Sequence, residues 1–492
     1  MIDRGTLMNR IGAEWRAART PDTVPILDPA TGELLAAMPL STADEVDEAV
    51  RAASAAFPSW RRTPPGERIQ PLFRLKALLD ANLKDLARII TRECGKTLAE
   101  SEAELKRGIE NVEVAAGIPS LMMGATLEDI ASGIDETMVR QPLGVVGVIT
   151  PFNFPAMIPL WFLPYAVACG NTVVLKPSER TPMTMNRVCE LMEEAGFPSG
   201  VINLVNGGKD AVTAIVDHPD VRAISFVGST AVARFVYGRA AGNGKRAQCQ
   251  GGARNPVVIL PDADMDMACR IIADAAFGCA GQRCLASSVA IAVGDAAAPF
   301  SKRIAENAGT RNVGNGLHPG VEMGPVISSQ SRKRIEGLIA QAVEGPAHAL
   351  LDGRDVRISG CESGHFMRPT VLADVDPASD LARTEVFGPV LSVIRADSLE
   401  EAIDVVNRSA YGNMSCLFTS SGSAARQFRH EVRTGNVGIN LGVAAPMAYF
   451  PFSGWKESFF GDLHAQGTDA VDFFTEKKVI VERWPSDWSR RF

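Results

Sequence analysis

GVVGVITPFNFPAMIPLWFLPYAVACGNTVVLK, residues 144–176, decides how the chain folds. Two apolar, β-branched runs at 145–150 and 172–175 flank an apolar segment of helical length at 155–168. Each run is hydrophobic at nearly every position, which marks a strand covered on both faces. Outward from it the alternation continues, with helices predicted over 183–195, 210–216 and 230–240 and strands over 201–205 and 223–227. A βαβ succession of this kind builds a doubly wound parallel sheet, which takes ligands at the carboxyl ends of its strands. The fold class is α/β.

Upstream, the first residues read as irregular, and short strands over 24–27 and 34–38 flank the turn residues Pro29, Thr31 and Gly32. Ser41-Thr-Ala-Asp-Glu opens a helix with capping-box spacing, followed by single helices over 68–92 and 98–117. The last of these sets Arg107 among Glu104, Glu110 and Glu113, where the ordinary fate is a weak surface ion pair. Downstream, a second α/β set starts near Ala253. Its strands are predicted at 257–260, 289–293, 370–372, 390–395, 415–419 and 435–440, with helices between them. Residues 470–481 alternate too weakly to fill a core, and pair either with 138–141 as a satellite sheet or with a neighbouring subunit.

At 492 residues the chain exceeds one ordinary core, and two or more domains are expected. A mild net charge of −7 with no basic block argues against nucleic acid. Nine scattered cysteines without a CxxC pair suit a reducing, cytoplasmic setting, and six dispersed histidines give a metal site no support. The N-terminus has no signal pattern, and the most apolar run, 156–169, is too short for a bilayer and holds Pro159 and Pro164. No membrane association is expected.

Chemistry concentrates in a few places. Phe277-Gly-Cys-Ala-Gly-Gln-Arg-Cys-Leu puts Cys284 on a tight connector between a helix and a strand, with Arg283 beside it to favour thiolate. Local context alone leaves Cys284 open between a nucleophile and a small buried thiol. The first sheet lacks a GxGxxG fingerprint, but its strands end in Thr150-Pro-Phe-Asn-Phe-Pro, Lys176-Pro-Ser-Glu-Arg and Gly228-Ser-Thr. The last opens a helix whose free N–H groups favour a phosphate. Glu179 suits adenosine ribose hydroxyls and repels a 2′-phosphate, which favours NAD over NADP.

These segments, with Leu175-Lys-Pro-Ser-Glu, Phe226-Val-Gly-Ser-Thr, Gly281-Gln-Arg-Cys and Glu385-Val-Phe-Gly-Pro, occur in the order of the aldehyde dehydrogenase superfamily, which the chain resembles over nearly its whole length. Three further stretches resemble the CoA-acylating methylmalonate-semialdehyde branch: Arg107-Gly-Ile-Glu-Asn-Val-Glu, Asn153-Phe-Pro-Ala-Met-Ile-Pro-Leu-Trp, and Phe452-Ser-Gly-Trp-Lys-Glu-Ser-Phe-Phe-Gly-Asp-Leu-His. The resemblance implies a Rossmann-like NAD-binding domain (1–123 and 144–252), an α/β catalytic domain (253–440) and a small β oligomerisation element (124–143 and 468–485). It implies a homodimer or homotetramer.

The resemblance also implies roles. Cys284 matches the nucleophile, and Asn153 the amide that joins the Cys284 N–H in an oxyanion hole. Thr150, Phe152, Lys176, Glu179, Arg180, Ser229 and Glu385 match NAD-binding positions, with Glu385 on the nicotinamide ribose. Arg107 and Arg283 match a pair that holds the substrate's carboxylate in forked geometry. Hydrolytic relatives carry a glutamate as base for the deacylating water; here alignment on Arg254-Asn255-Pro256 puts Gln250 at that position. An amide takes up no proton at neutral pH, so coenzyme A becomes the natural acyl acceptor. The expected reaction is NAD-dependent oxidation of methylmalonate or malonate semialdehyde to propionyl-CoA or acetyl-CoA with loss of CO2. The alternative is a CoA-independent enzyme that makes a free acid from another acidic semialdehyde. Gly251 replaces a bulkier residue of the branch, Cys279 is read as helix packing, and His464 has no acid–base partner within sequence reach.

Overall fold

The computed structural model describes residues 5–484. The runs at 145–150 and 172–175 form neighbouring parallel strands, Val145–Ile149 and Thr172–Lys176, buried at every position. Between them the helix Met157–Ala168 buries every residue from Ile158 onward, as an all-round apolar helix must. Ile202–Leu204, Val221–Val227 and Arg246–Gln250 complete the parallel part of the sheet. In spatial order the chain runs Ile202–Leu204, Thr172–Lys176, Val145–Ile149, Val221–Val227, Arg246–Gln250. The order therefore reverses between Val145–Ile149 and Val221–Val227, and the crevice at their carboxyl ends is where such sheets receive ligands. Thr150 and Gly228 follow directly on those two strands.

Three expectations are corrected here. The first residues are not irregular: Asn9–Ile11 and Glu14–Arg16 pair antiparallel and extend the sheet beyond Ile202–Leu204. The single helix expected over 68–92 is broken at Asn82 into Gln70–Ala81 and Leu83–Cys94. Arg246–Gln250 was not anticipated as a strand. Its composition is polar, and it is held by Val221–Val227 on one side and by Phe459–Phe460, from far along the chain, on the other.

A second sheet of seven strands carries His348–Leu351, Thr370–Ala373, Val390–Ala396, Ser287–Val293, Asn255–Ile259, Met414–Phe418 and Asn436–Ile439, parallel apart from the first. The weakly alternating tail forms Thr475–Arg483, which pairs antiparallel with Ile134–Pro142, and Ala125–Ala131 completes a three-stranded sheet. Its start, Gly467–Phe473, is a helix instead.

Candidate active site

The helix Met265–Phe277 ends at a turn, Gly278–Gly281, in which Cys279 and Ala280 have φ of 51° and 53°. Residues with a Cβ seldom adopt that left-handed region, and when they do the surroundings must enforce it. Glu100 supplies part of the enforcement. Its Oε1 accepts the Cys279 N–H at 2.5 Å while its other oxygen closes a capping box with Thr97 at the start of the helix Leu98–Ala116. Cys279 is thus a turn residue, not a helix-packing one. The connector then presents Cys284, half-buried, ahead of Ser287–Val293.

Asn153 comes to the same place from the first sheet. Its Nδ2 donates to the Gln282 carbonyl at 2.9 Å, two residues before Cys284. The backbone carbonyl of Asn153 accepts Lys96 Nζ at 2.6 Å, and Lys96 pairs with Glu104 at 2.7 Å, their side chains 1% and 0% exposed. The second oxygen of Glu104 accepts the Ala156 and Met157 N–H groups, satisfying orphan donors where the helix Met157–Ala168 begins. Lys96 also lies 4.0 Å from the centre of the Phe154 ring.

The electrostatics differ from the local reading. Burial, with the Glu385 carboxylate adding to it, pushes the Cys284 thiol up to about 12. Arg283 does little to counter this because it turns away: its Nε donates to Cys279 Sγ at 3.3 Å and a terminal nitrogen pairs with Glu100 at 3.4 Å. Arg107 pairs with Glu110 at 2.8 Å and donates to the Pro446 carbonyl. The two guanidiniums are therefore held by different carboxylates on the same helix. Burial pushes Glu385 up to about 7 against the Ala253 N–H, which it accepts at 2.9 Å.

The other strand-end residues gather at the crevice of the first sheet. Thr150 is buried, and its hydroxyl has no partner among the described residues. Phe152 meets Phe387 edge-on with centroids 5.8 Å apart. Lys176 is buried with its Nζ 3.4 Å from the exposed carboxylate of Glu179. Burial works most strongly and would raise Glu179, but the Lys176 ammonium, a backbone hydrogen bond and the Arg180 charge together outweigh it, and the carboxyl sits below its usual range. Arg180 is exposed beside it, and Ser229 stands exposed at the N-cap of the helix Thr230–Gly242 without bonding to it.

Gln250 ends its strand opposite Val227; its Nε2 donates to the Phe452 carbonyl at 3.2 Å, and its buried Oε1 has no partner among the described residues. At Gly251 a Cβ would come 2.7 Å from the Glu457 carbonyl, so the segment after Gln250 packs too closely for a bulkier residue. His464 does find an acid: Nδ1 is 3.4 Å from Asp469 and Nε2 3.0 Å from the Gly454 carbonyl. Sequence reasoning missed Lys96, Glu100 and Glu104, which position the loops. It also missed Asn255 and Asn413, whose amides both reach the Cys284 carbonyl. The spacing of Lys96, Glu100 and Glu104 around one helix start was the available signal for the first three.

The aldehyde dehydrogenase family model matches residues 15–480. Malonate-semialdehyde dehydrogenase 2 of Geobacillus kaustophilus is 49% identical over 480 residues, covering 97% of this chain and 99% of that protein. The crystal structure of methylmalonate-semialdehyde dehydrogenase from Oceanimonas doudoroffii superposes with a TM-score of 0.96 at 43% identity, covering 98% of this chain and 99% of that one. An NAD+ complex of an aldehyde dehydrogenase from Bacillus cereus gives a TM-score of 0.93 at 30% identity, over 97% of this chain and 96% of that chain.

Proposed function

The chain belongs to the aldehyde dehydrogenase family, and from that premise we propose that it oxidises malonate or methylmalonate semialdehyde with NAD. The acyl group passes to coenzyme A, giving acetyl-CoA or propionyl-CoA and CO2. The observation that carries this reading is Asn153 Nδ2 lying 2.9 Å from the Gln282 carbonyl, which brings an amide donor to the Cys284 connector. The similarity to malonate- and methylmalonate-semialdehyde dehydrogenases over nearly the whole chain supports the substrate class.

The crevice residues fit NAD. The Thr150 hydroxyl, unpartnered among the described residues, and the Ser229 hydroxyl, which does not cap its own helix N-terminus, can both donate to a bound ligand. Lys176 and the exposed Glu179 suit ribose hydroxyls, with Phe152 and Arg180 alongside; Glu385 would hold the nicotinamide ribose. Bound there, NAD would supply the acceptor for the hydride. The Cys284 thiol gives up its proton to water and, as thiolate, adds to the aldehyde carbon, forming a C–S bond and turning the carbonyl oxygen into an alkoxide. Asn153 Nδ2 and the Cys284 N–H donate to that oxygen. Once hydride has left, a thioester remains on Cys284. The substrate's carboxylate departs as CO2, its bonding pair forms an enolate, and the enolate takes a proton. The thiolate of coenzyme A then attacks the thioester carbonyl and displaces the Cys284 thiolate. Gln250 cannot activate water for the competing hydrolysis.

Arg107 and Arg283 are the cations for the substrate's carboxylate. Each already serves a glutamate, but a guanidinium has five N–H donors and can bind a second anion while keeping the first. In this reading residues 1–123 and 144–252 bind NAD, 253–440 carry the catalysis, and 124–143 with 468–485 join subunits into a dimer or tetramer. The apolar, exposed Leu127, Ile130, Val479 and Val481 on the three-stranded sheet support that assembly. Nine free cysteines suit a cytoplasmic enzyme.

The deciding experiment is NADH formation from malonate semialdehyde with and without coenzyme A, with products identified. Acetyl-CoA formed only with coenzyme A is expected. Equal turnover without it, yielding a free dicarboxylate, would overturn the proposal.

A further inference from the structure

The carbonyl oxygen of Cys284 lies between two side-chain amides from adjacent parallel strands. Asn255 opens Asn255–Ile259, and Asn413 stands immediately before Met414–Phe418. Their Nδ2 atoms are 2.8 and 2.9 Å from that oxygen, and Asn255 Nδ2 also reaches the Ala286 carbonyl at 3.0 Å. Both side chains are buried, and each is anchored. The Asn413 carbonyl accepts the N–H and Nδ2 of Asn436, and the Asn255 N–H donates to Ser288 Oγ at 3.2 Å.

One donor is enough to satisfy a buried carbonyl. Here both lone pairs are met by amides brought from separate strands, on the one residue whose sulfur is read as reactive. The carbonyl oxygen carries partial negative charge and is joined to the sulfur through a few covalent bonds. Left bare, it would oppose a thiolate and leave the backbone free to rotate. Two donors withdraw that charge and hold the peptide in one orientation, and neutral amides do so without adding a cation that could compete for the substrate's carboxylate.

We propose that Asn255 and Asn413 are positioning residues for the nucleophile, fixing the Cys284 backbone and offsetting the charge of its carbonyl so that the sulfur can act as a thiolate. The inference rests on the reading of Cys284 as the nucleophile.

The test compares wild type with Asn255→Ala and Asn413→Ala, measuring kcat, KM for NAD and for the semialdehyde, and the pH profile of alkylation by iodoacetamide, with the modified cysteine mapped by peptide mass spectrometry. Each variant is expected to lose about tenfold in kcat, the equivalent of one buried hydrogen bond. KM for NAD should hold, and the Cys284 alkylation profile should move to higher pH. A variant that merely melts earlier, with kcat and the alkylation profile of wild type, overturns the proposal. Should an alanine variant not fold, Asn413→Leu nearly keeps the shape without the donor, and the same loss is expected. Alkylation of a cysteine other than Cys284 in active wild-type enzyme sinks the nucleophile assignment itself, an outcome separate from failure of the two amides.

Discussion

Lys96 Nζ and the backbone carbonyl of Asn153 are 2.6 Å apart, and this bond ties the loop bearing the Asn153 amide to the start of the helix Leu98–Ala116. Glu104 completes the clamp by taking Lys96 on one oxygen and two helix N–H groups on the other. The same helix start holds the connector that carries Cys284, through Glu100. Two loops from different sheets are therefore registered against one rigid element.

Breaking a buried pair on one side strands a charge. Lys96→Met is expected to destabilise the protein by about 3–5 kcal/mol in urea unfolding, because Glu104 stays buried without its partner. The double variant Lys96→Met with Glu104→Gln should recover much of that loss. A single variant as stable as wild type would refute the clamp.

Asn153→Ala removes the amide that we propose donates to the developing alkoxide. It should lower kcat on the order of a hundredfold or more, equally for acidic and simple aldehydes, with KM for NAD unchanged. A loss confined to acidic aldehydes would move Asn153 out of the oxyanion hole.

Arg283→Lys keeps a charge but loses the fork that spans Cys279 and Glu100. The kcat/KM for malonate semialdehyde should fall while propanal is spared. A uniform fall on both substrates would assign Arg283 to holding the connector alone.

Gln250→Glu places a carboxylate beside the Phe452 carbonyl, which now accepts from the amide. Turnover without coenzyme A should appear or rise, because a base for water is restored. Free acid formation no higher than in wild type would remove Gln250 from the explanation of acyl-acceptor choice.

The Glu385 carboxylate raises the Cys284 thiol, so removing it works in the opposite direction. Glu385→Gln should shift the alkylation profile of the NAD-free enzyme to lower pH. The gain should be largest above pH 7, since burial holds Glu385 near about 7 and it is ionised chiefly beyond that. An unmoved profile would mean that burial alone suppresses the thiolate.

The parallel strands were legible because burial on both faces writes itself as an unbroken apolar run, as in Val145–Ile149 and Thr172–Lys176. Arg246–Gln250 was not legible: its polar Arg246 is held by the carbonyls of Asp472, Phe473 and Thr475, and Gln248 Nε2 donates to Ser225 Oγ at 2.8 Å, contacts with distant segments that no local apolar run announces. The break at Asn82 was likewise hidden, since the apolar period continues on both sides while the amide bonds back to the Leu78 carbonyl at 2.8 Å.

By itself the sequence determined the alternation of the parallel strands and helices from Val145 to Val227 and the polar residues that end those strands, and it singled out Cys284, Asn153 and Gln250 as candidates. These are local properties, written in residue type and period. Only the tertiary structure decided that Arg283 turns from Cys284 toward Glu100, that burial pushes the Cys284 thiol up, and that Asn255 and Asn413, 29 and 129 residues from Cys284 along the chain, meet at its carbonyl. Which donor finds which acceptor depends on the register between strands distant in sequence, and no local period encodes that register.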